Sequence, residues 1–201
     1  MAARPIAVAA ASRTYPGESE NGDAWAVHWH EGRCRIAVID GLGHGPLAAA
    51  AARLALAALD ALPELAPAEA LTVCHRALVG SRGAVITVVQ IDSPAHRLTH
   101  AGIGNIDGYL CGATRVTHLV SDRGIVGGAT RQIRAYGTDL DAGWLLLLHT
   151  DGVSARFNLR EQCVLYSSDP QVLANAILAN WGRTTDDATV VVACPIVLPN
   201  A

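Results

Sequence analysis

The chain has 201 residues, of which 51% are hydrophobic and 16% charged, and its formal net charge is −3. This length fits one domain spanning residues 1–201, and the apolar content argues against disorder. The small negative charge gives no reason to expect a nucleic-acid partner. All basic residues are arginine, and the absence of lysine excludes Schiff-base chemistry and lysine-dependent phosphate loops.

The cysteines are widely separated, with no CxxC or CxxH spacing, so a structural zinc site is not expected. Isolated cysteines of this kind are typical of buried thiols in a reducing compartment. The first apolar run, residues 6–11, is too short for the hydrophobic segment of a signal peptide. No stretch approaches the roughly 20 apolar residues that cross a membrane. These features predict a cytoplasmic protein with no membrane partner.

Apolar runs that are separated by glycine, proline and polar turns predict a mixture of strands and helices. In chain order, the predicted elements are strands at Pro5–Ser12, Ala24–His30 and Cys34–Asp40, helices at Pro46–Leu62 and Pro67–Val79, a hairpin of Gly83–Asp92 and Arg97–Gly102, two short strands around Gly104 and Asn105, a strand at Thr114–Val120, a loop at Ser121–Gly137, a strand at Trp144–Thr150, a helix at Asp169–Trp181 and a final strand at Thr184–Val192. Helices between hairpins indicate a helical layer packed across a sheet.

The most informative stretch is Ile36–Gly45, with the sequence IAVIDGLGHG. A buried strand leads here into Asp40 and a glycine-rich turn, and Pro46 then opens a helix. The glycines allow the backbone to approach a ligand closely. Asp23 begins the preceding strand, so an antiparallel hairpin is expected to place it beside Asp40 at one edge of the sheet.

Two further carboxylates occupy similar places at strand ends. Asp151 follows the most apolar run of the chain, and Asp186 precedes the last strand. Each acid alone fits a turn former equally well. Taken together with Asp23 and Asp40, they form an oxygen-only ligand set, which suits Mg²⁺ or Mn²⁺ and not zinc. Four carboxylates would repel one another unless cations bridged them, so the pattern predicts a two-metal site that binds a phosphoryl group.

The four motifs ENGD, IAVIDGLGHG, HTDGVS and TTDDATVVV, in this order, resemble those of the PPM family of metal-dependent serine/threonine protein phosphatases. The chain is most similar to the SpoIIE/RsbU/RsbX branch, and within it to stand-alone RsbX-type stressosome phosphatases. The resemblance covers about residues 5–195. It implies an α+β fold, an αββα sandwich with two central antiparallel sheets and helices on the outer faces.

The resemblance also implies roles for individual residues. Asp40 would bridge two divalent ions, Mn²⁺ or Mg²⁺, and the carbonyl of Gly41 would bind one of them. Asp151 and Asp186 would complete the ligand set, and Asp23 would contribute directly or through water. Hydrolysis would then be direct attack of the metal-bridging water on phosphorus, without a phosphoenzyme, and the catalytic residues would be Asp40, Asp151 and Asp186.

Some positions depart from the family pattern or have two interpretations. Many members have an arginine that grips phosphate five residues before the first aspartate, where this chain has Glu18. Phosphate binding is therefore assigned to Arg123 or Arg131 in the glycine-rich loop. His44 either donates a proton to the leaving serine oxygen or sits behind the metal ligands at the helix start. Asp187 is expected to support the turn behind the ligands.

The resulting hypothesis is a phosphatase that acts on phosphoserine or phosphothreonine in STAS-domain proteins of a stressosome or partner-switching module. Two other functions fit the same residues. One is a two-metal hydrolase of small phosphoesters. The other is an inactive or weakly active module that binds phosphoproteins, against which the intact set of aspartates argues.

Overall fold

The computed structural model describes residues 6–130, 132–166 and 169–196. Its elements, in chain order, are β1 (Ile6–Arg13), β2 (Asp23–His30), β3 (Arg33–Gly41), α1 (Pro46–Asp60), α2 (Pro67–Ala77), β4 (Ala84–Asp92), β5 (Arg97–Ile103), β6 (Asp107–Cys111), β7 (Val116–His118), β8 (Tyr136–Asp139), β9 (Leu145–His149), α3 (Leu159–Tyr166), α4 (Pro170–Trp181) and β10 (Ala188–Pro195). The described strands form two five-stranded antiparallel sheets. Sheet I has the order β1-β10-β9-β6-β7, and sheet II has the order β2-β3-β4-β5-β8.

The central strands bury both of their faces, which explains their continuous apolar sequences. In β3, Ile36 and Val38 belong to the core between the two sheets, together with Leu148 of sheet I. The alternate residues Ala37 and Ile39 face the other way and pack beneath α1 and α2. Successive strand residues point to opposite faces, so a single strand contributes to two cores.

The outer face of sheet I is covered in the same way. Leu147 of β9 and Val190 of β10 share a core with Leu173 and Ile177 of α4. The molecule therefore has four layers, with helices outside and two antiparallel sheets inside. This confirms the predicted α+β sandwich of αββα type.

Most predicted strands and helices are confirmed within four residues of their ends, but one short strand and one loop boundary were wrong, and one helix was not predicted. Of the two short strands expected around Gly104 and Asn105, one forms as β6 and the other does not, because β5 continues to Ile103. The loop predicted at 121–137 ends early, because β8 begins at Tyr136 and pairs along the edge of β5. The helix α3 was not predicted, although Asn158 accepts a hydrogen bond from the backbone of Arg160, an ordinary helix-start signal.

The antiparallel topology collects four strand ends at one edge of the sandwich. Asp23 begins β2 directly opposite Asp40 near the end of β3. On the other sheet, His149 at the end of β9 lies opposite Val190 near the start of β10. The loops that leave these strands are therefore neighbours. Among the described residues, no helix is both long and apolar enough to span a membrane.

The end of α1 is fixed by a buried arginine of β3. Arg35 is only 2% exposed, and its guanidinium donates to the carbonyl oxygens of Leu59 at 2.6 Å and Leu62 at 2.7 Å. It also lies 3.3 Å from Nδ1 of His28. These carbonyls lie at the C-terminal end of the helix and in the turn that follows it, where their backbone hydrogen bonds are long, from Leu62 N–H to Leu59 at 3.3 Å and from Leu65 N–H to Leu62 at 3.5 Å.

Replacing this guanidinium is expected to destabilise the fold. Arg35→Met keeps the apolar stem but removes the charged donor from the carbonyls of Leu59 and Leu62 and leaves them only long backbone hydrogen bonds, at a cost of about 2–4 kcal/mol. Urea unfolding of the metal-free protein measures this cost. The matched control is Arg33→Met, since Arg33 forms a half-exposed pair with Asp92 and should contribute less than about 1 kcal/mol. Equal stability of the two variants would contradict the capping role.

Candidate metal centre

The first pair of carboxylates is placed by the β2–β3 hairpin. Asp23 and Asp40 are direct register partners, which confirms that they lie side by side. The backbone N–H of Gly41 donates to the carbonyl of Gly22 at 3.0 Å and closes the pair. Both acids thus sit on rigid strand ends and not on free loops.

The second pair comes from sheet I. Asp151 follows β9, and its Oδ2 accepts a hydrogen bond from the side-chain amide of Asn105 at 2.7 Å. Asp186 lies just before β10 and caps the loop, with its Oδ1 accepting from the backbone of Asp187 at 2.9 Å. The turn at Gly152 packs directly on this loop, because a methyl group built on Gly152 would overlap the backbone oxygen of Asp187.

Asp187 ties the β1–β2 loop to the start of β10. Its Oδ1 accepts from the backbone N–H of Tyr15 at 2.8 Å, and its Oδ2 accepts from that of Gly22 at 2.9 Å. The side chain is buried and uses both oxygens in this way. Both side-chain oxygens therefore accept hydrogen bonds from backbone N–H groups of the β1–β2 loop. These bonds fix the loop that carries Asp23 to the loop that carries Asp186.

Two buried threonines orient Asp23, and the sequence analysis missed both. Thr150 Oγ1 donates to Asp23 Oδ2 at 2.7 Å and accepts from the backbone N–H of Thr189 at 2.9 Å. Both threonines are 0% exposed. The available signal was the polar residue that separates the apolar β9 from Asp151.

The electrostatics of this cluster are those of uncompensated negative charge. Burial raises the pKa of Asp40 from 3.8 to about 9, and repulsion from Asp23, Asp151 and Asp186 adds to the effect. Burial also raises the pKa of Asp23 to about 7, although hydrogen bonds from Thr150 and Thr189 oppose it. In the described part of the chain, no arginine or histidine forms an ion pair with these acids.

The donor set fits a hard divalent cation, although its side chains do not yet converge on one point. Within residues 6–130, 132–166 and 169–196, no three His, Cys, Asp or Glu side chains are arranged to hold an ion as they stand. Asp23 and Asp151 each have one oxygen engaged by Thr150 or Asn105. Buried carboxylates without their own counter-ions are the ligands that Mg²⁺ and Mn²⁺ prefer.

Of the two cationic side chains proposed from the sequence, Arg123 is the one that lies among the described residues. Arg123 is exposed and forms no hydrogen bond or ion pair with the described residues. Arg131 lies outside the described residues. The guanidinium of Arg82, which the sequence analysis missed, donates to the carbonyl of Leu42 at 3.3 Å, within the turn after Asp40.

Comparison with known proteins gives matches over nearly the whole chain. The family described as stage II sporulation protein E (SpoIIE) matches residues 30–195. One solved chain, described as "The bacterial stressosome: a modular system that has been adapted to control secondary messenger signaling", is 31% identical with a TM-score of 0.88. The alignment covers 94% of this chain and 99% of that one. No curated protein sequence matches.

Two more distant structures share the fold. RsbX in complex with magnesium is 19% identical with a TM-score of 0.85, over 95% of this chain and 96% of that one. The catalytic domain of the serine/threonine protein phosphatase PstP in complex with two manganese ions is 21% identical with a TM-score of 0.70, over 96% and 99%. At these identities the likeness establishes the fold alone.

Proposed function

We propose, from the premise that this chain belongs to the SpoIIE family of PPM-type phosphatase domains, that it is a metal-dependent serine/threonine protein phosphatase. One observation carries the proposal. Five aspartates from the ends of four strands lie at one edge of the sandwich, and none of them forms an ion pair with an arginine or histidine of the described residues. A site that accumulates buried negative charge in this way is suited to divalent ions and, through them, to a phosphoryl group.

Asp23, Asp40, Asp151, Asp186 and the carbonyl of Gly41 would hold two ions, Mn²⁺ or Mg²⁺. When bound, the ions supply a water of lowered pKa for attack on phosphorus and positive charge opposite the phosphoryl oxygens.

The surrounding residues of this chain fix the ligands. Asn105 orients Asp151, and Thr150 orients Asp23, so that each carboxylate keeps one oxygen free. Asp187 holds the loops of the two sheets together. The hairpin register keeps Asp23 and Asp40 adjacent before any ion binds.

The proposed substrates are phosphoserine and phosphothreonine in STAS-domain proteins of a stressosome or partner-switching module. Support comes from the solved chain whose description names the bacterial stressosome, which matches over almost the full length. Arg123 and Arg131 stay our candidates for gripping phosphate, and Arg82 adds a guanidinium beside the metal-site turn. We place the protein in the cytoplasm, where free thiols such as those of Cys34 and Cys74 are stable.

The first test is hydrolysis of p-nitrophenyl phosphate with and without Mn²⁺. We expect manganese-dependent turnover that falls at least about 100-fold in Asp151→Asn, because this change removes a charged ligand but keeps the side-chain volume. Asp139→Asn is the matched control, since Asp139 is an exposed residue of β8 paired with Arg97.

The outcomes separate this function from its rivals. Turnover that survives in Asp151→Asn would contradict the metal-site assignment. Lack of turnover with any divalent ion, on the aryl phosphate and on a phosphorylated STAS protein alike, would favour a phosphoprotein-binding module. Cleavage of free phosphoserine as fast as of the phosphoprotein would favour a small-phosphoester hydrolase.

A further inference from the structure

An exposed arginine lies against the turn that follows two of the candidate metal ligands. Arg82 belongs to the loop between α2 and β4, and its Nη1 donates to the carbonyl of Leu42 at 3.3 Å. A Cβ built on Gly43, which has φ +84°, would lie only 2.8 Å from the same Nη1. Glycine at this position therefore leaves room for the guanidinium. The cation rests on the turn that comes directly after Asp40 and Gly41.

The backbone on both sides of Arg82 is held in place. Ser81 Oγ donates to the carbonyl of Leu78 at 2.7 Å and accepts from the N–H of Gly83 at 3.0 Å. The carbonyl of Gly83 in turn accepts from the N–H of Leu42 at 3.1 Å. The exposed side chain thus stands on a loop that is hydrogen-bonded to the metal-site turn, so the fold fixes the region that the guanidinium can reach.

The guanidinium of Arg82 has no acidic partner within the part of the chain that the structure describes. Charges on the neighbouring turn and on α1 are already paired, since His44 Nδ1 lies 2.7 Å from Oε1 of Glu18 and Arg53 pairs with Glu20. The hydrogen bond of Arg82 to a neutral carbonyl leaves its other N–H groups free. A guanidinium presents a planar fork of donors that matches an oxyanion. Arg82 is therefore available for an anion that arrives from outside.

The place of this cation indicates which anion it meets. Phosphoryl oxygens would contact ions held by Asp40 and the carbonyl of Gly41. Arg82 instead touches Leu42 and Gly43, one and two residues further along the chain, and two residues span at most about 7 Å. Among the described residues, it forms no ion pair with a metal-site aspartate. The guanidinium thus lies to one side of the phosphoryl position, at the distance of the side chains that flank a phosphoserine.

We propose that Arg82 binds a carboxylate beside the phosphoserine or phosphothreonine of the substrate protein, an inference that rests on the proposed phosphatase function. The partner is an aspartate or glutamate side chain of that protein, held by charge-assisted hydrogen bonds. Docking of the substrate shields this pair from water and makes it stronger than an exposed surface pair. Arg82 is then a specificity-determining residue, which selects among phosphoproteins and takes no part in breaking the bond to phosphorus.

The test uses two phosphoserine peptides that differ only at the two residues next to the phosphoserine, glutamate in one and glutamine in the other. The third substrate is p-nitrophenyl phosphate, which has no flanking residue. With Mn²⁺, we expect the wild type to prefer the glutamate peptide about tenfold in kcat/KM. Arg82→Gln should lose this preference but lose less than about twofold on p-nitrophenyl phosphate. Glutamine can still donate to the carbonyl of Leu42, so a structural role alone predicts that the preference stays.

Charge reversal makes the test specific to a direct contact. Arg82→Glu should prefer a peptide with lysine at the two flanking positions over the glutamate peptide, a reversal that damage to the fold does not produce. Arg76→Gln and Arg76→Glu are the matched controls, because Arg76 is an exposed arginine of α2 and undergoes the same changes of charge. Both controls should keep the wild-type order of the peptides.

The other outcomes overturn the proposal. Equal kcat/KM of the wild type on the glutamate and glutamine peptides would do so directly. Equal losses of Arg82→Gln on the peptides and on p-nitrophenyl phosphate would place the guanidinium on the phosphoryl group instead. Loss of the preference in Arg76→Gln as well would reveal a general effect of charge. All three leave the phosphatase function standing, whereas a wild type that hydrolyses none of the substrates would overturn both.

Discussion

Asp40→Asn is expected to abolish phosphatase turnover and, at the same time, to stabilise the metal-free protein. Asp40 is the carboxylate most affected by its neighbours, since burial and four other aspartates raise its pKa to about 9. Asparagine keeps the shape but removes the charge that would bind the ions. We expect a loss of activity on the order of 10³-fold.

The pH dependence of stability follows from the same shift. The pKa of Asp40 is higher in the folded than in the unfolded protein, so its stabilising contribution is present below about pH 4 and is lost as the pH rises toward 9. Asparagine does not titrate. The metal-free variant should therefore exceed the wild type in stability by at least about 2 kcal/mol at pH 8, and the difference should vanish near pH 4.

Urea unfolding with a chelator, followed by unfolding with Mn²⁺, measures both effects. Manganese should stabilise the wild type and have little effect on Asp40→Asn, which reverses the order of stability. Asp139→Asn, on the exposed edge strand β8, controls for a general effect of removing negative charge. A metal-free variant less stable than the wild type at pH 8 would contradict the electrostatic account, whatever the activity.

Gly152→Ala is expected to damage fold and activity together. The added methyl group would overlap the backbone oxygen of Asp187, and neither backbone can move without displacing Asp151 or Asp186. We expect a loss of about 3 kcal/mol or more in unfolding free energy and turnover reduced at least about 100-fold. The activity falls because Asp151 and Asp186, which lie on two different loops, must keep their relative positions to bind the same ions.

Gly80→Ala is the comparison for this change. Gly80 has φ +85° and open space around its Cβ direction, so alanine there costs only the conformational strain of about 1–2 kcal/mol. Circular dichroism, urea unfolding and manganese-dependent turnover distinguish the two variants. A Gly152→Ala protein with the stability of wild type would show that the two loops can separate, and would contradict their rigid contact.

The metal-site aspartates could be predicted because each follows or precedes a strand too apolar to lie anywhere but in the core. For Asp23 and Asp40, a short hairpin also fixes the register, so their adjacency follows from counting residues along the two strands. For Asp151 and Asp186, the sequence locates the strand ends but not their neighbours in the sheet. The expectation that these strand ends lie beside Asp23 and Asp40 came from the family resemblance.

Other parts of the site depend on contacts between distant positions that leave no periodic trace in the sequence. Tyr15 and His44 stack across two strands, and Arg82 reaches the turn after Asp40 from the loop between α2 and β4. Thr150 looked like an ordinary strand-end residue, because its use depends on the carboxylate of Asp23 far away along the chain. Short polar elements such as β8 were missed for a related reason, since edge pairing and not local pattern makes them strands.

The pairing of β1 with β10 has a consequence for how the molecule is made. The first described strand has the last one as its partner in sheet I, with Ile6 opposite Pro195. During synthesis, β1 cannot pair until β10 has left the ribosome, and loop closure over this separation slows folding. Sheet II, built from strands within residues 23–139, can assemble earlier. Because Asp186 directly precedes β10, the nascent chain can complete the ligand set only after this strand has been made.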